Sequence, residues 1–179
     1  MTVPRPSHRW LWGIGAVIVF LSACSSATVV PSVKIANRYH DEQPALSGDG
    51  QLLAFISNRD RRNSLTLYDV KNRQLIAPQL HPQGPIESPS LSRTGRYLVY
   101  ITSPEGRPEI FLYDRLAERG KRLTAGSRRV VRHPRISPDG RYIVFETVRQ
   151  GQWDIAVIDR GPNIELDIAD GSLSVNPES

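Results

Sequence analysis

Three dipeptides stand 45 residues apart, each directly ahead of a proline: Glu42-Gln43 before Pro44, Glu87-Ser88 before Pro89, and Arg132-His133 before Pro134. Together they hold carboxylates, an amide, a hydroxyl, a guanidinium and an imidazole, a set suited to ionic and hydrogen-bonded recognition of a polar ligand. The residue types differ between the three places, and ligand recognition and drift of exposed loops both account for that divergence. Bond-breaking chemistry has less support. No Gly-x-Ser-x-Gly nucleophile elbow occurs. His40, His81 and His133 are scattered, no His-Glu-x-x-His pair is present, and Cys24 is the single cysteine. The expectation is a protein without catalytic residues, metal or cofactor. Arg59 with Arg61 and Arg62, and Arg128 with Arg129 and Arg132, fall in predicted loops. Solvated charge and a docking site for an acidic partner are both open readings of these clusters.

A repeat positions the dipeptides. "SGDGQLLAF" (Ser47 to Phe55), "SRTGRYLVY" (Ser92 to Tyr100) and "SPDGRYIVF" (Ser137 to Phe145) share the 45-residue step, as do "LTLYD" (Leu65 to Asp69), "IFLYD" (Ile110 to Asp114) and "IAVID" (Ile155 to Asp159). Register kept across two blocks marks a repeat architecture. In "SPDG", Pro138 and Gly140 stand where a type I turn wants them. Gly50, Gly95 and Gly140 recur in all copies whereas Pro138 and Asp139 do not, so the expectation is that the repeat encodes a turn and not a liganding aspartate.

The runs after the glycines are rich in β-branched and aromatic residues and too short for helices, so they read as strands. Tyr142 and Val144 fall on one face, Ile143 and Phe145 on the other, which predicts sheets covered on both sides. Small antiparallel sheets stacked face to face, one per 45 residues, are the blades of a β-propeller; a plain β-sandwich leaves the register unexplained. Each unit reads as strand A before the turn, B after the glycine and C at the second block. A fourth strand D is expected near Leu75 to Leu80, Lys121 to Thr124 and Ile164 to Ile168. The same step places another D-like segment at Val33 to Ala36, so three all-β units come with four D-like segments.

The amino terminus carries Arg5, His8 and Arg9 without an acid, then an uncharged apolar run of twelve from Trp10 to Leu21. That is the layout of a secretory signal and falls short of the roughly 20 apolar residues of a spanning helix. "LSAC" (Leu21 to Cys24) resembles the lipobox of bacterial lipoproteins. The resemblance implies cleavage before Cys24, a thioether-linked diacylglycerol on its sulfur and acylation of the new terminus, which together give stable anchoring. Ser25 in place of Asp points to the outer rather than the inner membrane of a two-membrane bacterium. Residues 1–23 are thus expected to be a signal peptide and 24–32 a lipidated linker, in an exported protein held to the periplasmic side of a membrane. With Cys24 acylated, no disulfide forms within the mature chain. Residues 1–23 hold two of the 23 basic residues and none of the 18 acidic ones, leaving a net charge of +3. That mild excess does not predict a nucleic-acid partner.

The pattern from Pro134 to Phe145 with "WDIAVID" (Trp153 to Asp159) resembles the WD40-like PD40 repeat of TolB-type β-propellers, over residues 33–169, with 170–179 as a tail. The resemblance implies blades used in periplasmic Tol proteins and as gating domains of serine peptidases. TolB proteins pair an amino-terminal α/β domain with six blades and bind a peptidoglycan-associated lipoprotein in envelope maintenance. The present sequence departs in its lipobox, in having no α/β domain and in holding three repeats. It places Glu42, Gln43, Glu87, Ser88, Arg132 and His133 at the mouth of a central channel. The function expected is non-enzymatic binding of another envelope protein or a peptidoglycan-associated ligand. The alternative is an accessory or regulatory subunit of a separately encoded envelope hydrolase or peptidase. Three blades do not close a ring. Two chains about a twofold axis would close one of six blades, and the competing arrangement is a monomeric arc capped by residues 28–40 and 170–179.

Overall fold

The computed structural model describes residues 39–59, 63–76, 80 and 84–168, which form eleven strands and no helix. Blade 1 is an antiparallel sheet of β1 (Asp41–Leu46), β2 (Leu52–Ser57), β3 (Ser64–Asp69) and β4 (Gln74–Ile76) in chain order. Blade 2 repeats it with β5 (Ile86–Leu91), β6 (Tyr97–Thr102), β7 (Glu109–Asp114) and β8 (Arg119–Arg122). Blade 3 holds β9 (Val131–Ile136), β10 (Tyr142–Arg149) and β11 (Gln152–Asp159). Pairing follows the 45-residue step: Leu53 opposes Tyr68, Leu98 opposes Tyr113 and Ile143 opposes Ile158. The hairpin between β10 and β11 turns on Gln150 and Gly151, both at positive φ (51° and 80°), as a two-residue type I′ connection requires.

The serine and aspartate of the turn do structural work together. Ser47 Oγ donates to Asp49 Oδ1 (2.6 Å) and accepts the Leu52 N–H (2.9 Å), while Asp49 also takes the Gln51 N–H (3.0 Å). In blade 3, Ser137 donates to Asp139 and accepts the Tyr142 N–H, and Asp139 takes the Arg141 N–H. Blade 2 has Thr94 where the others have aspartate, and the carboxylate comes from Asp167. It accepts from Ser92 Oγ (2.5 Å), Thr94 N–H (2.8 Å) and Thr94 Oγ1 (2.6 Å), while Ser92 Oγ accepts the Tyr97 N–H.

This corrects the expected D strand at Ile164 to Ile168. Residues 160–168 form no strand, and blade 3 has three strands among the described residues. The segment instead returns across the turns of blades 2 and 3 as a strap: in blade 2 Tyr97 Oη donates to Glu165 O (2.5 Å) and Arg96 Nη2 to Glu165 Oε2 (2.6 Å), and the Asp167 N–H donates to Asp139 O of the blade 3 turn (2.8 Å). A carboxylate completing a buried turn gains charge-assisted bonds that outweigh ladder bonds exposed to water at a sheet edge. The other two D strands form at Gln74–Ile76 and Arg119–Arg122, and Val33 to Ala36 lies outside the described residues.

Packing between blades follows the repeat. One core cluster joins Leu52, Ala54, Ile56, Leu65 and Leu67 of blade 1 to Leu91, Leu98, Tyr100 and Tyr113 of blade 2. The second joins Tyr97, Val99, Ile101, Ile110 and Leu112 of blade 2 to Ile136, Ile143 and Phe145 of blade 3. Hence β6 is buried at every residue. Glycine lets neighbouring blades approach: a Cβ on Gly95 would lie 2.5 Å from Leu52 Cδ2, and one on Gly140 2.3 Å from Tyr97 Cδ2. Blade 3 departs from the expected two-sided cover. Along β10 burial alternates, with Ile143, Phe145 and Thr147 inside and Tyr142 and Val144 exposed. On blade 1, Phe55 and Tyr68 face away from blade 2 yet are buried, whereas Leu46 and Leu75 are exposed.

Candidate functional site

The A strands β1, β5 and β9 lie side by side, which makes them the inner edge of the stack. Each is bulged at the same place. Glu42 opposes Ile56 but Ala45 opposes Ala54, Glu87 opposes Ile101 but Ser90 opposes Val99, and Arg132 opposes Glu146 but Arg135 opposes Val144. One extra residue sits in every A strand, and at its centre Gln43, Ser88 and His133 adopt left-handed backbone, with φ of 53°, 51° and 50°. Such conformations are costly for side chains with a Cβ, on the order of 1–2 kcal/mol each, and they persist where the surroundings impose them. The prolines that follow fit the bulge because no ladder donor is needed there.

Between the three bulges lies a cleft of about 350 Å³ lined by Gln43, Glu87, Ser88, His133 and Arg135 with Pro44 and Pro89. Four of the six expected residues therefore meet around one space. The other two turn to neighbours: Glu42 approaches His40 Nε2 (3.4 Å), and Arg132 bonds Glu146 (2.5 Å) with its guanidinium 3.4 Å over the Trp153 ring. Arg135 was not singled out by the sequence; it stands where the other copies have Ala45 and Ser90, so only divergence at that position marked it.

The cleft is polar and carries both charges. Ser88 N–H donates to Gln43 Oε1 (2.5 Å), tying two bulges together. His133 Nδ1 lies 3.1 Å from Glu146 Oε1, and the Arg132 guanidinium followed by His133 holds the Glu146 carboxyl below the usual range. Ser88, His133 and Glu146 are the residue types of a hydrolytic triad, but no hydrogen bond joins Ser88 Oγ to the imidazole, the contact by which a base activates a nucleophile. Among the described residues no three His, Cys, Asp or Glu side chains gather as a metal group, and no helix is long and apolar enough to cross a membrane. Cys24, His81, Arg61 and Arg62 lie outside the described residues.

No protein-family model and no curated protein matches the sequence. Solved structures do. TolB from Acinetobacter baumannii is 26% identical with a TM-score of 0.58, over 71% of this chain and 31% of its own. A TolB-designated protein from Agrobacterium tumefaciens gives 19% and 0.59, over 75% and 51%. The chain has a TolB-type β-propeller fold. It spans less than two thirds of either protein. The β-propeller domain of the Trilobed protease from Pyrococcus furiosus, 15% identical with a TM-score of 0.50 over 68% of this chain and 39% of its own, shares the fold alone. In this TolB-type stack the bulged inner strands therefore lie along the inner side of a partial propeller.

Proposed function

We propose that this chain is an exported, lipid-anchored propeller protein of the bacterial envelope that catalyses no reaction and holds another envelope protein, or a ligand attached to peptidoglycan, at its inner strands. The observation that carries the reading is the convergence of Gln43, Ser88 and His133, three left-handed bulge residues, on one cleft. Left-handed residues aim backbone groups away from the sheet ladder, and the surrounding amide, acid, imidazole and guanidinium supply donors and acceptors for an extended polar segment. The TolB-type fold and "LSAC" support an envelope location with the anchor at Cys24.

Two measurements test the reading. Radiolabelled palmitate is expected to enter the full-length protein and Cys24→Ser to release it into the soluble periplasmic fraction; an unlabelled wild type removes the anchor. Cross-linking and pull-down from detergent extract should recover a partner with the wild type and lose it with Glu87→Arg/His133→Ala. Equal recovery with that variant removes the cleft from the function, and recovery of a hydrolase transfers the reading to an accessory subunit.

A further inference from the structure

Of the three repeat turns, that of blade 2 does not close with a carboxylate of its own. In blades 1 and 3, Asp49 and Asp139 accept the serine hydroxyl and the N–H two residues on. Thr94 stands at that position in blade 2, so the turn offers donors instead: Ser92 Oγ, Thr94 N–H and Thr94 Oγ1 all point at Asp167. Thr94 makes a self-contained turn into a seat for an imported carboxylate.

The seat has a second anchor two residues away. Arg96 Nη2 holds the Glu165 carboxylate, and Arg96 and Arg160 bring guanidinium groups 5.0 and 4.2 Å from the Tyr97 ring centroid. Between the anchors Tyr97 Oη donates to the Glu165 carbonyl, and Asp139 O accepts the Asp167 N–H. The contacts therefore read Glu-x-Asp along a main chain, while the middle side chain, Leu166, is left 40% exposed.

The receiving groups are braced by the blades themselves. Arg96 also bonds Asp114 (3.2 and 3.3 Å), Ser92 Oγ accepts the Tyr97 N–H, Gly140 packs on the Tyr97 ring, and Ser137 and Arg141 hold Asp139. The occupant is held differently: of residues 163–168 only Asp167 is buried, and the Glu165 side chain is 75% exposed. A segment fixed by polar anchors and not by a core opens locally at lower cost than the blades unfold. It also has another place to go. The 45-residue step makes residues 164–167 the successors of β8, so the register that pairs Phe111 with Arg122 carries over to Ala156 with Asp167 on β11, whose only sheet neighbour among the described residues is β10.

We infer that the blade 2 turn is a receptor for an acidic peptide segment of the Glu-x-Asp type, and that residues 165–167 are its resident ligand, exchangeable for the same motif on a partner protein. The seat follows the last residue of β5, whereas the Glu87–Ser88 bulge lies near the first, so the inference is independent of the cleft-binding function.

The test is calorimetric titration of the full-length chain in detergent with the acetylated, amidated peptide Asn-Ile-Glu-Leu-Asp-Ile, the sequence of residues 163–168. Glu165→Ala/Asp167→Ala, which empties the seat, should bind the peptide with a Kd of about 0.1 mM, two charge-assisted anchors being set against the ordering of a short chain. The wild type should bind about tenfold more weakly, because its tethered strap competes at an effective concentration of about 1 mM. Adding Thr94→Asp to the double variant supplies the carboxylate from within the turn and should abolish binding with an unchanged circular dichroism spectrum. No binding by the folded double variant at millimolar peptide overturns the inference, as does an affinity that is unchanged by Thr94→Asp, equal in the wild type, or equal for a peptide with both acids replaced by alanine. Should the double variant fail to fold, Asp167→Asn takes its place under the same criteria.

Discussion

Asp167 should be a large single contributor to stability although it lies 73 residues from the turn it completes. Ser92 is fully buried and Asp167 itself 4% exposed, so deleting the carboxylate leaves Ser92 Oγ and the two Thr94 donors short of an acceptor. Each charge-assisted bond is worth about 1.5–3 kcal/mol. The three share one network and water can enter from the rim, so they do not add. Asp167→Ala is expected to cost about 3 kcal/mol, and Asp167→Asn roughly half as much because one acceptor oxygen remains. For a domain of this size that is a fall of about 10 °C in Tm, measured by circular dichroism at pH 7 and checked by urea denaturation. Thr94→Asp in the Asp167→Ala background should restore most of the loss, because Asp49 and Asp139 perform the same task from that position. Burial opposes ionisation of Asp167, but bonds from Ser92 and Thr94 outweigh it and hold the carboxyl below its ordinary 3.8. With the folded pKa depressed, the stabilisation is present above the unfolded value and is lost as pH falls through the folded one. The gap between wild type and Asp167→Ala should accordingly be constant from pH 5 to 8 and narrow below about 3.8. A difference under about 0.5 kcal/mol at pH 7, or a gap undiminished on acidification, would refute the strap as a source of stability.

Two further perturbations test the packing. Gly140 combines φ of 80° with a close approach to Tyr97, whose ring is held by its bond to Glu165 and by Arg160 4.2 Å from its centroid. Gly140→Ala should therefore cost about 3 kcal/mol from left-handed strain and overpacking together. Gly106→Ala, at φ of 75° but in open space, should cost only the strain, about 1 kcal/mol, in the same urea titration; equal costs would mean that the blade contact is soft. Burial, with Tyr113 beside it, pushes the Tyr100 phenol up to about 12 from 10. A raised folded pKa contributes stability below the unfolded value that disappears as pH rises through the folded one. Stability should decline between about pH 10 and 12, and Tyr100→Phe should flatten that decline; an unchanged slope would assign the alkaline loss to other groups.

The blades were legible because what stabilises each junction is written in every copy. The turn needs Ser47, Ser92 and Ser137 and a glycine, the B strand needs apolar residues on both faces, and the 45-residue step carries all of these together. The bulges were half legible. Pro44, Pro89 and Pro134 marked strands with no ladder donor to lose, but nothing in the types Gln, Ser and His announces left-handed backbone at 43, 88 and 133, since the usual flag for that conformation is glycine. The strap was not legible at all. Residues 164–168 have the composition of an edge strand, and their fate turns on Thr94, a residue in another blade that leaves a carboxylate site vacant for Asp167 to fill. The inconstant aspartate at 49 and 139 looked dispensable in sequence for the same reason. Its role is kept in all three turns, but in one the group arrives from elsewhere in the chain. The one-sided cover of blade 3 is hidden in a related way. "YIVF" in blade 3 has the two-sided pattern of "YLVY" in blade 2, yet β6 is buried along its length and β10 on one face only. A repeat reproduces both faces of every blade whether or not a neighbour covers them, so its periodicity fixes the register of the junctions and leaves open which faces are covered: Tyr97 is buried in blade 2 and its successor Tyr142 is exposed in blade 3.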